Sequence, residues 1–375
     1  MTTSMINKDK MAEEAKLVLV SGASGFVASH IIYQLLQSNE YRVRGTVRDV
    51  NNEEKTKPLK TLCPETKYPL ELVQADLLNA DSWLSAVKDC DYVIHVASPF
   101  PNATPKTEDE IIKPAVEGTT NVLEACVKSS TVKRVVLTSS CVAIYPGHKD
   151  SDDRILTEED WAIVDECSAY EKSKALAEKS AWDFVKNLSD EQKFELVAIN
   201  PGYVLGPVFH GSKCTSMEVH KMLLQREFPM LARLQMPMCD VRDVAAAHIT
   251  SLTLPNAAGN RFIINTKSLW VGEVAEILKK EFFSQGYNVP TRYAPNFAIR
   301  FAGLFDKTLK MIAPLLGKPI KLSNEKMIKE LGITPIEIEK TIIDMAYSLI
   351  DNGFIIKTNK YRGQKSQEKE GSSDS

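Results

Sequence analysis

Seven short runs rich in Val, Leu and Ile constrain this fold more than any other feature: Leu17–Val20, Arg42–Val47, Leu70–Gln74, Tyr92–Val96, Val135–Thr138, Leu196–Ile199 and Phe262–Ile264. Their apolar residues are nearly continuous rather than alternating. A strand with one wet face alternates, whereas a strand covered on both faces need not. Helical patterns separate most of the runs, at Ser29–Gln37, Asp81–Val87, Val116–Ser129 and Ala169–Lys186. A repeated β-α-β order calls for a parallel sheet with helices on both faces. Right-handed crossovers then wind it doubly.

The expected fold class is α/β, a Rossmann-type doubly wound parallel sheet with a smaller, mostly helical C-terminal lobe. The pattern changes after Pro207. His210–Arg233 is irregular, Ala294–Pro319 is helical in parts but broken by Pro and Gly, and Ile336–Asn352 is an amphipathic helix. The expected division is a flexible arm over 1–15, a dinucleotide-binding domain over 16–207 to which 236–268 returns, a substrate lobe over 208–235 and 269–356, and a polar, disordered tail over 357–375. With 43% apolar and 25% charged residues, global disorder and a disulfide scaffold are excluded. The net charge of −3 gives no basic field for nucleic acid. No 18-residue apolar window predicts a membrane span, and no membrane partner is expected. The first sixteen residues lack an apolar stretch, and the cysteines at 63, 90, 126, 141, 167, 214 and 239 are scattered. Both features point to a reducing, cytoplasmic setting.

The first strand runs straight into Ser21-Gly-Ala-Ser-Gly-Phe-Val-Ala-Ser-His30. Gly22 permits a tight turn, Gly25 lets backbone approach a pyrophosphate, and Ala28 lets the helix pack on the strand. Ser24, Phe26 and Val27 sit where the loop and the helix N-terminus face the phosphates. Glycine spacing alone also fits a plain turn; a buried strand before it and an apolar helix after it favour the phosphate loop. The second strand ends Val47-Arg48-Asp49. Arg48 suits a ribose 2′-phosphate, and Lys55 in the loop just after adds a second charge. Asp49, swung inward, would instead accept from a 2′-hydroxyl. The balance favours NADP(H) over NAD(H). Asp76-Leu77, after the third strand, fits an adenine contact or a helix cap.

Tyr170-Glu-Lys-Ser-Lys174 places a phenol and an ammonium on one helix face. Two other Tyr-x-x-x-Lys matches, at 145/149 and 361/365, fall in a Pro-Gly turn and in the tail. A nearby lysine charge, with the nicotinamide cation of an oxidised complex, is expected to lower the tyrosine pKa and make it a proton donor or acceptor at neutral pH. A hydroxyl at the strand end Thr138-Ser139-Ser140 would hydrogen-bond the same reacting oxygen. No His or Cys spacing suits zinc, and Asp150-Ser-Asp-Asp153 lacks the further ligands of a calcium loop, so no metal is expected. Met217, Met222, Met230, Met236 and Met238, with Phe228, suit either a broad apolar pocket or plain lobe packing.

Together these segments resemble the extended short-chain dehydrogenase/reductases, and within them the dihydroflavonol reductase, cinnamoyl-CoA reductase and yeast methylglyoxal (ketone) reductase branch. The segments that carry the likeness are Val20–His30, Arg44–Asp49, His95-Val-Ala-Ser-Pro99, Gly118–Ala125, Val135–Ser140, Tyr170–Lys174, Asn200–Pro207 and Asp240–His248. The resemblance implies Ser140, Tyr170 and Lys174 as a catalytic triad and Arg48 and Lys55 on the 2′-phosphate. It implies Val96, Ala97, Ser98 and Thr138 beside the dinucleotide, and Pro201, Gly202, Tyr203 and Val204 bordering the nicotinamide. Asn121 fits either a water network or a buried helix amide. Ala28 replaces a glycine that many members carry, and no run after Pro207 is familiar from the flavonoid enzymes. The implied reaction is NADPH-dependent reduction of an aldehyde or ketone, in a monomer or homodimer whose partner is the small carbonyl substrate. A sugar-nucleotide epimerase or dehydratase, a hydroxysteroid dehydrogenase and a non-catalytic NADP-binding protein are the alternatives.

Overall fold

A computed structural model describes residues 15–98, 107–148, 154–209 and 216–364. The arm up to Glu14, the Asp150–Asp153 run, Cys214 and the tail beyond Gln364 lie outside the described residues. The first half runs β1 (Leu17–Val20), α1 (Phe26–Ser38), β2 (Arg42–Val47), α2 (Glu53–Lys60), β3 (Glu71–Gln74), α3 (Ala80–Val87), β4 (Tyr92–His95), α4 (Asp109–Ser129) and β5 (Arg134–Thr138). It continues with α5 (Ala169–Lys186), β6 (Glu195–Pro201), β7 (Tyr203–Leu205), α6 (Met217–Leu224), β8 (Gln235–Asp240), α7 (Val241–Thr253), β9 (Arg261–Ile264) and β10 (Lys267–Trp270). The lobe closes with α8 (Val271–Phe282), α9 (Asn296–Ala302), α10 (Lys307–Ile312), α11 (Glu325–Lys329) and α12 (Ile338–Asp351).

Seven parallel strands form one sheet in the order β3-β2-β1-β4-β5-β6-β9. Alternate side chains of each strand go to opposite helical layers. Val18, Val20, Val136 and Ile199 join the core beneath α1 and α7, while Leu19, Val93, Val135 and Leu196 join the core beneath α3, α4 and α5. All eight are at most 2% exposed, so each strand reads as one apolar run. Strand order reverses between β1 and β4, and a ligand crevice opens beside the carboxyl ends there.

A second sheet, β10-β8-β7, adds three strands to the seven expected from sequence. β7 has three residues and β8 carries Pro237, which hid both. The residues after Ile356 also depart from a disordered tail. The Arg362 N–H donates to Gln285 Oε1 at 3.1 Å, and the Tyr361 ring stands edge-on to Tyr287. Lobe and sheet are joined through buried Asp240. It accepts two bonds from the Arg242 guanidinium, at 2.9 and 2.6 Å, and one from Thr341 of α12 at 2.7 Å.

Helix α5 is seated by a buried ion pair. Ser168 and Glu171 form a capping box that starts the helix. Two turns on, Glu178 is fully buried and accepts from Arg261 Nε at 2.6 Å, Ser139 Oγ at 2.5 Å, Asn200 Nδ2 at 2.8 Å and Trp182 Nε1 at 3.2 Å. Arg261 is satisfied in turn by the carbonyls of Glu158 and Asp160 and lies over the Trp161 ring at 3.8 Å. Removing one partner of such a pair strands the other charge in the interior. Glu178→Ala should therefore cost about 3–5 kcal/mol, read as a fall in the urea midpoint at unchanged slope. A loss under about 1 kcal/mol, the range of an exposed pair, would show that solvent reaches the site.

Candidate active site

The glycine loop leaves β1 with Gly22 at φ +68°, a conformation L side chains rarely adopt. A Cβ there would also come 3.1 Å from the Ala97 Cβ, so the two strand ends touch across the crevice through a missing side chain. The first helical bond of α1 runs from the Ser29 N–H to Gly25 O at 2.9 Å. The N–H groups of Phe26, Val27 and Ala28 precede it and have no acceptor within the helix. No side chain caps this terminus. The loop, with Ser24 at its turn, thus forms a bare donor cradle that fits a pyrophosphate.

Ser21 is the joint of the crevice. Its Oγ accepts from the Val96 and Ala97 N–H groups, both at 2.9 Å, so its own proton goes to His95 Nδ1 at 2.8 Å. This leaves the His95 proton on Nε2. Burial, and then the Lys174 charge, push the imidazole down to about 3. Beside it is a chamber of about 20 Å³, lined by His95, Ala97, Ser98, Thr119, Thr138 and Lys174. It has room for a single water-sized molecule.

At the end of β2, Arg48 and Asp49 are both exposed. Asp49 Oδ1 accepts from the Asn51 N–H at 2.9 Å, which turns the carboxylate into its own loop. Lys55 lies in the first turn of α2, not in a loop as expected. Asn52 caps that helix by accepting the Lys55 N–H at 3.2 Å, a signal the apolar pattern missed because α2 is mostly polar. Asp76 Oδ1 accepts from the Leu78 N–H at 2.9 Å and closes a local turn. Leu77 packs where a Cβ on Gly118 would stand 3.1 Å away, and its carbonyl accepts from Asn121 Nδ2 at 2.8 Å. Asn121 thus fastens the loop after β3.

The three hydroxyls ending β5 divide their work. The Thr138 hydroxyl donates to His248 Nε2 at 2.7 Å, because the other ring nitrogen donates to Val244 O. Ser139 is buried and spent on Glu178. Ser140 is half-buried and accepts the Val142 N–H at 3.3 Å. Tyr170 and Lys174 lie one turn apart on α5, and Glu178 continues the same face a turn deeper. Tyr170 is 48% exposed, and the surrounding protein still strips enough water to push its phenol up to about 12. Cys141 and Glu171 add to the rise. Half-buried Lys174 is pushed down to about 8 by the same loss of water. Burial thus keeps the phenol in its neutral form in this structure.

Pro201 ends β6, and a Cβ on Gly202 would stand 2.6 Å from Pro237 O, so glycine there admits β8. Tyr203 and Val204 pair with β8. Met217 and Met238 are buried in the lobe core, whereas Phe228 and Met230 are exposed. The buried thiols Cys90 and Cys141 are pushed up to about 12, which leaves them protonated and poor nucleophiles.

A bare phosphate cradle at the β1/β4 switch and a phenol–ammonium face at the same sheet edge define a dinucleotide-dependent oxidoreductase of the extended short-chain type. The sequence profile described as the NAD dependent epimerase/dehydratase family matches residues 18–265. The chain belongs to that family. It is 34% identical over 349 residues to cinnamoyl-CoA reductase 2 of Arabidopsis thaliana, covering 92% of this chain and 96% of that one. It is 33% identical over 331 residues to dihydroflavonol 4-reductase of Zea mays, covering 86% and 85%. The crystal structure of yeast methylglyoxal/isovaleraldehyde reductase complexed with NADPH superposes with a TM-score of 0.73 at 31% identity, covering 89% of this chain and 98% of that one.

Four buried imidazoles set an acid limit on this fold. Burial pushes His30, His220 and His248 down to about 4 and His95 to about 3. Below about 6.5 the unfolded chain takes up protons that the folded chain refuses, so stability falls with pH until the folded values are reached. Asp243, pushed up to about 6 by burial, works in the opposite sense between about 3.8 and 6. One carboxyl is outweighed by four larger imidazole shifts. The melting temperature should fall steadily from pH 6.5 to 4 and stay level from 7 to 8. A level profile down to pH 4.5 would show that these rings charge without unfolding.

Proposed function

We propose that this protein reduces a small aldehyde or ketone to an alcohol with NADPH. The observation that carries the reading is the face of α5. Tyr170 is exposed at the start of α5, Lys174 sits a turn further along, and Ser140 follows the end of β5. NADPH, when bound, supplies the hydride. The glycine loop and the N-terminus of α1 would hold its pyrophosphate, and Arg48 its 2′-phosphate. The Asp49 carboxylate, folded onto the Asn51 N–H, leaves the ribose side to Arg48, which supports NADP(H) over NAD(H). The relatives named as reductases and the NADPH complex of the yeast enzyme support the same cofactor and direction.

Tyr170 Oη gives its proton to the carbonyl oxygen as the carbon is reduced. Ser140 hydrogen-bonds that oxygen and orients it. Lys174 stabilises the phenolate left on Tyr170. Ser139 is excluded from this part because its hydroxyl belongs to Glu178.

Loss of absorbance at the nicotinamide band, with a panel of aliphatic and aromatic aldehydes, ketones and diketones, tests the reading. NADPH should be consumed faster than NADH. Tyr170→Phe should lower turnover by about 10²–10⁴-fold, the usual worth of a positioned acid, with NADPH binding unchanged. Turnover retained in that variant removes the phenol from the mechanism. Arg48→Ala should weaken NADPH on the order of tenfold or more and leave NADH nearly unaffected. An equal loss for both would take Arg48 off the 2′-phosphate.

A further inference from the structure

The segment between Arg292 and Lys321 leaves the lobe and returns to it on adjacent feet. At one end the Leu231 N–H donates to Arg292 O at 2.8 Å and the Ala294 N–H to Leu231 O at 2.9 Å. At the other the Gly317 N–H donates to Arg233 O at 2.8 Å and the Ile320 N–H to Gln235 Oε1 at 2.6 Å. Helices α9 and α10 lie between these feet. They pack closely where Gly303 has no Cβ, since one there would come 3.0 Å from Lys310 N. Ile299 and Leu316 turn inward and are buried.

The rest of the apolar content turns outward. Phe297, Phe301, Leu304, Phe305 and Met311 are between 64% and 82% exposed, and Leu315 is 46% exposed. Six of the seventeen exposed large hydrophobic side chains among the described residues thus fall within positions 297–315. Phe297 and Phe301 stand one turn apart on α9, Leu304 and Phe305 follow in the turn after it, and the Phe301 and Phe305 rings meet at 5.8 Å. A single exposed leucine means nothing, but a clustered stripe marks a contact surface.

Charge selects the occupant. Residues 292–321 carry six Lys or Arg and one acid, in a chain whose net charge is −3. Arg292, Arg300, Lys310, Lys318 and Lys321 are exposed in the same segment. The one acid, Asp306, caps α10 by accepting the Leu309 N–H at 2.9 Å. Two copies meeting face to face here would set base against base. We propose that the α9–α10 excursion is a docking surface for an anionic lipid bilayer, with the aromatic stripe in the headgroup boundary and the bases on lipid phosphates and carboxylates. Among the described residues no helix is long and apolar enough to cross a membrane, and lying on a surface requires neither property.

The full chain should be spun with vesicles of pure phosphatidylcholine and with vesicles containing about one-third phosphatidylserine. The bound fraction should be about tenfold higher on the anionic vesicles and fall about fivefold from low to high salt. Phe301→Ser with Phe305→Ser should abolish pelleting while carbonyl turnover with a soluble substrate is unchanged. Arg300→Glu with Lys310→Glu should abolish it on the same terms. Failure of the wild-type chain to pellet, equal pelleting on neutral vesicles, or pelleting retained by both double variants would overturn the proposal. So would a concentration-dependent dimer that the phenylalanine variant converts to monomer, which would assign the face to a second copy.

Discussion

The buried pair of Glu178 and Arg261 is the constraint on which the active-site geometry depends. A carboxylate taken out of water is costly unless every lone pair finds a donor. Here one oxygen meets Arg261 Nε and Trp182, and the other meets Ser139, Asn200 and Arg261 Nη2. Those donors come from α5, β5, β6 and β9. The helix therefore cannot turn or slide without stranding several polar groups at once. Tyr170 and Lys174 ride on the same face, so their height over the strand end is set by a contact neither of them makes. The same pair removes Ser139 from solvent, while Ser140 stays half-buried.

Desolvation is the second theme, and it is put to different uses. Ser21 ties β1 to β4 by accepting two backbone N–H groups, and in doing so fixes the His95 tautomer. His248 does the same for Thr138 on the other side of β5. These imidazoles act as neutral, directional hydrogen-bonding spacers, which burial enforces by opposing their charge. At Lys174 and Tyr170 the same loss of water acts on a half-buried and an exposed side chain. It brings the ammonium toward the neutral range and keeps the phenol protonated.

Much of this was legible in the sequence because two-sided burial writes itself as unbroken apolar runs. All seven strands of the main sheet and helix α5 stand within a few residues of their expected bounds. The small sheet was not legible. β7 is three residues long, β8 carries a proline and β10 mixes Lys and Ser with Leu and Trp, so none shows a period. Helix α2 and the position of Lys55 were lost for the opposite reason, too little apolar content. Tyr361 and Arg362 looked like tail, yet one aromatic in a polar stretch was enough to pin it to the lobe. Glu178 carried a usable signal that spacing alone could have found. Positions 170, 174 and 178 form one stripe, and a carboxylate on a stripe that faces a parallel sheet must have a partner there.

The lobe shows why some segments escape pattern reading altogether. A strand inside the sheet is specified by neighbours on both sides, so its sequence is narrow. The lobe is fastened at a few polar points, chiefly Asp240, Arg242, Thr341 and Asp344, and elsewhere has one inner face to satisfy. Its excursion through α9 and α10 satisfies that face with Ile299 and Leu316. Folding then places no demand on the outward positions, where soluble surfaces ordinarily carry polar residues. Phenylalanine at 297, 301 and 305 is therefore not explained by the core. What the interior does not require of a stripe, an exterior contact must.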